Sequence, residues 1–405
     1  MTGWVHAIRH GWVVTDRVPG PDVDEFAEPA EVTAALARFP RGADSLLAVQ
    51  HPHRTPQALA DGLSLADALP AARQVLARLS ARAYREVANV VAPYRVEGPD
   101  GAVVGVLCLI DSAAVDSGGK SFVRHSEEVY PRVVLERAAV LAGLGCATSA
   151  AMLVPVRDGD QLTAAVLGSI EKLGAPTVST TDSGGRSHQL WLLGPGVEQD
   201  AVLGAVSRSP LLVADGNHRV AAAAAGDQSS RLLALVTAGP VLRIGAIHRA
   251  LVGTGLTCDA LADAWRSAGA AVRDAGQLDP PLRPGSVLAE AVGGNLLITL
   301  PRPGPGEPVP RIDHGLVERW LIADALGINP EGPQVRALPA GHPLDPRIDA
   351  VLRLAPVPFA DVLAVHEQGR RMPRKSTYFT PKPRSGLLLA DLTGNLRSGG
   401  ATAPG

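Results

Sequence analysis

Lysine and aromatic side chains are scarce in this chain, and cysteine is scarcer still. Only Lys120, Lys172, Lys375 and Lys382 are lysine among 38 basic residues, and Phe, Trp and Tyr together make up 3% of 405 residues. Cys108, Cys146 and Cys258 are too few and too scattered for a disulfide framework, a paired zinc site or a redox dithiol. They read as buried thiols in a reducing compartment. No run reaches the about eighteen apolar residues of a spanning helix, and the opening stretch MTGWVHAIRHGWVV carries His and Arg where a signal peptide keeps an apolar core. A cytoplasmic location and no membrane partner are therefore expected. With 38 basic and 40 acidic residues the net charge is −2, so there is no global attraction to nucleic acid and a small-molecule partner is favoured. The Walker pattern and the Gly-x-Ser-x-Gly elbow are both absent. The two DSGG stretches, Asp116 to Gly119 and Asp182 to Gly185, read as turns, and His51 and His53 lack the partners of a zinc site.

Alanine, glycine and proline are abundant and arginine replaces lysine almost throughout, as in a GC-rich genome. Positions that escape this bias are informative. Two of the four lysines fall in MPRKSTYFTPKPRSG, residues 372–386, together with Tyr378 and Phe379. Lys375, Ser376 and Thr377 offer an ammonium and two hydroxyls suited to a phosphate. The same stretch also reads as a closing segment whose aromatics fill a core poor in them.

Apolar spacing predicts helices over Leu65 to Val91, Val133 to Leu144, Val197 to Val206, Cys258 to Ala268, Gly315 to Leu326 and Phe359 to Gln368. Strands are expected at AVVGVLCLI, AAMLVPV, HQLWLLG, RLLALVTA, VLRIGAIHRALVG and GNLLITL. No repeat period is visible. Strands and helices mixed without clean alternation predict an α+β or mixed α/β protein in two lobes, with a first lobe over 1–240, a second over 241–390 and a disordered tail over 391–405.

Between residues 211 and 226 the sequence LLVADGNHRVAAAAAG joins a short buried strand to an alanine-rich helix through the polar break Asp215 to Arg219. A helix starting there presents backbone N–H groups and a partial positive charge, so the junction attracts anions. Gly216 lets a ligand approach the backbone, and Arg219 adds a fork that suits phosphate. Asp215 would repel such a ligand unless a metal ion lies between them or the carboxylate takes a proton; equally, it reads as the N-cap of the helix. In FVRHSEEVYPRVVLER, Glu127 or Glu128 could act as a general base, although a solvated acidic loop has the same composition. His248 and Arg249 in GAIHRALVG stand near a strand end.

In order along the chain, RHSEEVYP…ER, HQLWLL, VADGNHRVAA, IHRALVG and MPRKSTYFTPKPRSG resemble the signature series of DUF1015, a bacterial and archaeal family of unknown function. Asn217 replaces the first His of the family's Asp-Gly-His-His-Arg. Ser126 interrupts its His-Glu pair, which leaves Glu127 as the motif's acid. More distantly, Gly216-x-x-Arg219-x-x-Ala222 is similar to the nucleotide box of the ParB and sulfiredoxin superfamily, which includes free-serine kinases. The resemblance implies a ParB/sulfiredoxin-like nucleotide-binding core with added α+β elements.

Residues and resemblance together lead to a kinase-like expectation: ATP or ADP, with Mg²⁺, would donate a phosphoryl group to serine or a similar hydroxyl metabolite. Gly216, Asn217 and the amides after them would cradle phosphates, with Arg219 and His218 neutralising charge. Asp215 would hold Mg²⁺ or orient the nucleophile, and Glu127 would serve as the acceptor's base. Lys375, Ser376 and Thr377 would bind phosphate, and Arg124, His125, Arg137, His248 and Arg249 would bind phosphate or a substrate carboxylate. The alternative is a ParB-type nucleotide-controlled switch without phosphotransfer.

Overall fold

The structure is a computed structural model that describes residues 3–26, 29–39, 44–226, 230–342 and 344–393. It is a mixed α/β protein. The chain divides into two compact units: unit 1 comprises residues 1–125, 129–242 and 381–405, and unit 2 comprises 126–128 and 243–380. Of the tail expected to be disordered, residues 394–405 lie outside the described residues, whereas Asp391 closes the strand Leu388–Asp391.

Unit 1 is built on a mixed sheet. The order runs Val123–Arg124, Leu211–Asp215, Ala151–Pro155, Arg231–Val241, Gly101–Asp111, Ala92–Gly98, Ser187–Leu190 and Val178–Thr181, with Val5–His6 also paired to Gly101–Asp111. The central strand Gly101–Asp111 illustrates why its sequence is an unbroken apolar run. Val103, Leu107 and Leu109 face one core, while Val104, Val106, Cys108 and Ile110 face the other. The helices Gly159–Leu173, Val197–Ser207 and Asn217–Ala224 contribute to the second core through Leu162, Val166, Val202, Val206, Val220 and Ala223. The first core is covered by a four-stranded sheet ordered Tyr84–Val90, Ile8–Val14, Leu388–Asp391 and Cys146–Ala147.

The expected helix over Leu65 to Val91 ends at Ala83, and Tyr84–Val90 is a strand paired with Ile8–Val14. Tyr84, Val87 and Val90 are buried three residues apart, a spacing that continues the helical rhythm in sequence although the backbone is extended. HQLWLLG is also shorter than expected as a strand, since Ser187–Leu190 stops before Trp191. The helix Gly159–Leu173 is absent from the sequence expectations.

Unit 2 holds an antiparallel sheet ordered Ala271–Asp274, Gly294–Thr299, Ser286–Ala291, Ile348–Arg353, Ile247–Val252 and Val335–Pro339. Its core combines Leu261 and Trp265 from the helix Cys258–Ser267 with Leu316, Val317, Leu321 and Ile322 from the helical stretch that follows Ile312. That stretch widens to π-helical bonding over Val317–Asp324, and the Leu321 carbonyl accepts the Trp265 Nε1–H at 2.9 Å. Arg243–Gly245 pairs with Tyr378–Thr380 as a separate ribbon. Among the described residues no helix is long and apolar enough to cross a membrane.

Gly11 faces Ala390 across the second sheet of unit 1, and a Cβ there would overlap the Leu389 carbonyl. Gly11→Ala is expected to destabilise the protein by about 1–3 kcal/mol, read as a lower midpoint in urea unfolding; an unchanged midpoint would mean that Leu388–Asp391 is not held by this pairing.

Candidate functional site

The strand Leu211–Asp215 ends with a shift of register against Ala151–Pro155: Val213 pairs with Leu153, but Asp215 pairs with Met152. Such a bulge re-aims the side chain that follows it. Gly216 then turns the chain with φ +90°, and the helix Asn217–Ala224 begins. A side chain at Gly216 would be strained by its left-handed φ and crowded, because a Cβ would lie 2.9 Å from Arg219 Nε and 3.2 Å from Ala151 Cβ. No cap side chain closes the helix start. The junction is the strand, turn and helix expected from the sequence.

Gly216, not Asp215, is the N-cap residue of that helix, and the Asp215 carboxylate sits between two cations. The Arg219 guanidinium donates to Oδ2 at 2.6 Å, and Lys382 Nζ lies 2.7 Å from Oδ1. Arg219 also donates to the Ala150 carbonyl at 2.7 Å, which fixes its plane. All three side chains are about one-fifth to one-quarter exposed, at 23% for Asp215, 25% for Arg219 and 19% for Lys382. Both oxygens of Asp215, the residue expected to hold Mg²⁺, face cations. Among the described residues no group of three or more His, Cys, Asp or Glu side chains could hold a metal ion. Lys382 was not among the expected site residues; its presence in the stretch where lysine concentrates was the signal.

His218 packs against the segment that precedes the helix Pro131–Leu144. Its Nε2 accepts the Tyr130 backbone N–H at 3.0 Å, and the two rings lie parallel with centroids 5.8 Å apart. The Nε2 lone pair is thus used by a backbone amide. Asn217 is buried, and its Oδ1 is 3.1 Å from His125 Nδ1. Arg124, on the edge strand Val123–Arg124, directs Nε to the Ser121 carbonyl at 3.3 Å. Arg137, on the helix Pro131–Leu144, lies near His51 and His53; burial, with Arg137 adding to it, pushes the His51 imidazole down to about 3. Both DSGG stretches are turns, closed by Gly119 N–H to the Asp116 carbonyl at 3.0 Å and Gly185 N–H to the Asp182 carbonyl at 3.1 Å.

Glu127, Lys375, Ser376, Thr377, His248 and Arg249 belong to unit 2. Lys375 is exposed and adopts φ +51°, a left-handed conformation that costs a non-glycine residue about 1 kcal/mol. Its backbone is gripped from both sides. Glu127 Oε2 accepts the Lys375 N–H at 2.7 Å, and Arg249 donates to the Lys375 carbonyl at 3.1 Å and to the Arg374 carbonyl at 3.0 Å. Arg249 is 2% exposed and also pairs with Glu318 at 2.7 Å. These contacts make Arg249 an internal tie, not the substrate contact expected for it. His248 is likewise interior: Nδ1 accepts the Leu354 N–H at 3.2 Å, and burial pushes the ring down to about 4. The Ser376 hydroxyl is buried and donates to the Pro373 carbonyl at 2.7 Å, so it serves the turn instead of an anion. Thr377, half-buried, leads into Tyr378–Thr380. Glu127, expected as a base, holds the Lys375 amide.

Two stability measurements follow from this turn. Lys375→Gly relieves the left-handed strain and is expected to raise stability by up to about 1 kcal/mol; a loss would mean that the lysine side chain itself stabilises the turn. Arg249→Met strands Glu318 and the carbonyls of His248, Arg374 and Lys375 and is expected to cost about 2–3 kcal/mol. Urea unfolding of each variant reads both, and an unperturbed Arg249→Met would remove the internal-tie assignment.

Solved structures with some likeness to this chain include SbnI with a C-terminal truncation from Staphylococcus aureus, 13% identical over 67% of this chain and 84% of that one, with a TM-score of 0.39. They also include a free serine kinase variant in complex with AMP, 13% identical over 72% and 94% of the two chains, with a TM-score of 0.38. A further variant of that kinase, in complex with ADP, has 13% identity, covers the same shares, and has a TM-score of 0.36. No curated protein sequence matches the chain. The family described as "Protein of unknown function (DUF1015)" matches residues 45–276, more than half of the chain and the whole of the Asp215 to Arg219 turn, and the protein belongs to that family.

Proposed function

We propose that unit 1 binds the phosphates of a nucleotide at the Asp215 to Arg219 turn and that the protein transfers a phosphoryl group from ATP or ADP to the hydroxyl of serine or a similar small metabolite. One observation carries the reading. A glycine in a left-handed conformation, with no side chain of its own, opens the helix beside a guanidinium held in a fixed plane. Backbone amides, helix dipole and Arg219 all favour the same guest, a group with several negative oxygens. The resemblance of Gly216-x-x-Arg219-x-x-Ala222 to a nucleotide box supports the same assignment.

Phosphoryl transfer needs the phosphates fixed in line with the attacking oxygen and their growing charge neutralised. In this reading Gly216 and the amides at the helix start position the phosphate chain, and Arg219 balances its charge. The acceptor oxygen forms the new P–O bond as the bond to the departing nucleoside phosphate breaks, and the hydroxyl proton leaves with a base. Glu127 is not carried forward as that base, because its carboxylate is engaged by the Lys375 amide in unit 2. His125 and Asn217 would shape the floor beside the turn.

Incubation of the full-length protein with labelled ATP or ADP and a set of hydroxyl metabolites tests the reading. Phosphorylated product is expected, and Arg219→Ala is expected to weaken nucleotide binding by about tenfold or more. Binding without product would favour the nucleotide-controlled switch. Absence of both would defeat the reading altogether.

A further inference from the structure

We infer that Tyr94, His188 and Asp182 form a proton-ordered relay that latches residues 382–385 into unit 1, and that charging His188 as the pH falls releases the latch. The relay joins three stretches that stand apart in the sequence: the second DSGG turn, the HQLWLL stretch and the KPRSG end of the lysine-bearing segment. Its direction follows from what each group can do. The Arg384 backbone N–H is a donor, so the Tyr94 hydroxyl accepts it at 3.1 Å. The hydroxyl proton then goes to His188 Nδ1 at 2.7 Å, and that nitrogen must be bare. On the far side of the ring the Asp182 carboxylate accepts from Nε2 at 3.1 Å, so Nε2 carries the proton. Burial opposes the ionisation of Asp182, but the Arg186 backbone N–H, His188 and the Arg186 guanidinium outweigh it and hold the carboxyl below its ordinary value. Only the neutral Nε2–H tautomer of His188 satisfies every member of the chain.

Acid reverses the relay. In a charged imidazole Nδ1 becomes a donor, and it then faces a hydroxyl whose own proton points the same way. Tyr94 is fully buried, His188 is 1% exposed, and among the described residues the hydroxyl has no third partner. Charging therefore either orphans the hydroxyl proton or displaces the Arg384 amide. The charges facing the ring are Asp182 and Arg186, which flank the DSGG turn, and Arg384 from the segment beyond Pro381; Tyr94 faces it from Ala92–Gly98. Burial has the largest influence and lowers the imidazole from its ordinary value of 6.5, Asp182 opposes this, and the two arginines add to the lowering. The unfolded chain thus takes up the proton before the folded one does. The relay contributes fully above 6.5 and is lost as the pH falls through the lowered value of the folded state. The segment it releases is otherwise held by the Arg384 guanidinium, which pairs with Asp22 at 3.0 Å and donates to the Gly20 carbonyl at 2.8 Å, and by the Ser385 N–H, which donates to Asp22 at 2.8 Å. Lys382 stands two residues before Arg384, through Pro383, and reaches Asp215 at 2.7 Å. The latch acts whatever ligand the Asp215 to Arg219 turn takes.

Two measurements on the full-length protein test the latch. Long-range proton–nitrogen spectra of the histidine rings, with His188 assigned by its absence in His188→Asn, should show the Nε2–H tautomer at neutral pH and a charged ring on acidification. The Nδ1–H tautomer, a ring already charged at neutral pH, or one that stays neutral until the protein unfolds overturns the inference. Hydrogen exchange then reads the segment. Protection of the Arg384 amide, corrected for its intrinsic rate, should fall by about tenfold as His188 charges, and it should do so before protection in the central strand Gly101–Asp111 is lost. Protection that does not follow the His188 titration, or that falls together with the central strand, overturns the latch. Tyr94→Phe removes the hydroxyl and should lower Arg384 protection by a similar factor at neutral pH, with no further step in acid. His188→Asn offers Tyr94 an acceptor that does not titrate and should abolish the acid step; a step that persists assigns the acid response to another group. If neither variant folds, judged by its melting curve, the ring spectra and exchange profile of the wild type decide. Phosphotransfer and nucleotide binding enter none of these readouts, so the latch and the proposed function stand or fall separately.

Discussion

A single carboxylate held between two cations organises unit 1 around its polar turn. Asp215 ends a core strand, Arg219 stands on the first turn of the helix that follows, and Lys382 belongs to the segment with which the chain returns to unit 1. Partly exposed ion pairs of this kind contribute about 1 kcal/mol or less each. Their value therefore lies in position more than in stability. The carboxylate fixes where two positive charges sit, and the bulge before Asp215 fixes where the carboxylate points.

Everything nearby is arranged to leave that turn narrow and charged. Gly216 gives up its side chain so that Arg219 Nε can approach the backbone. Val220 and Ala223 bury the opposite face of the helix among the strands, so the helix start cannot drift without opening the core. Tyr130 holds His218 through its backbone amide, and His125 faces Asn217 where the family pattern carries a histidine. The polar groups flanking the turn are thus paired with each other, and Asp215 joins the two cations.

Unit 2 spends its polar side chains differently. Arg249, His248 and Ser376 look in sequence like ligand-binding residues, yet each is buried and answers a backbone group. A buried guanidinium must satisfy its donors, and here the carbonyls of Arg374 and Lys375 together with Glu318 do so. The outcome is an exposed lysine in a strained conformation, kept there by Glu127 and Arg249. Sequence alone could not separate the two uses of arginine. Arg219 and Arg249 are the same residue type beside similar neighbours, and only burial tells them apart.

What the amino-acid order decided without help was local: the helices starting at Val197, Cys258 and Phe359, the strand, turn and helix around Gly216, and the turns at the two DSGG stretches. Each depends on propensity, apolar spacing or a glycine conformation, which operate within a few residues. The strand Tyr84–Val90 escaped that reasoning because burial at every third residue has the same signature as a helix face until Ile8–Val14 is paired beside it. Lys382 and Arg249 escaped it for a related reason. Whether a charge meets a distant carboxylate or a buried carbonyl depends on chain segments more than a hundred residues away, as the Arg249 to Lys375 contact shows, and only the folded arrangement brings those segments within hydrogen-bonding reach.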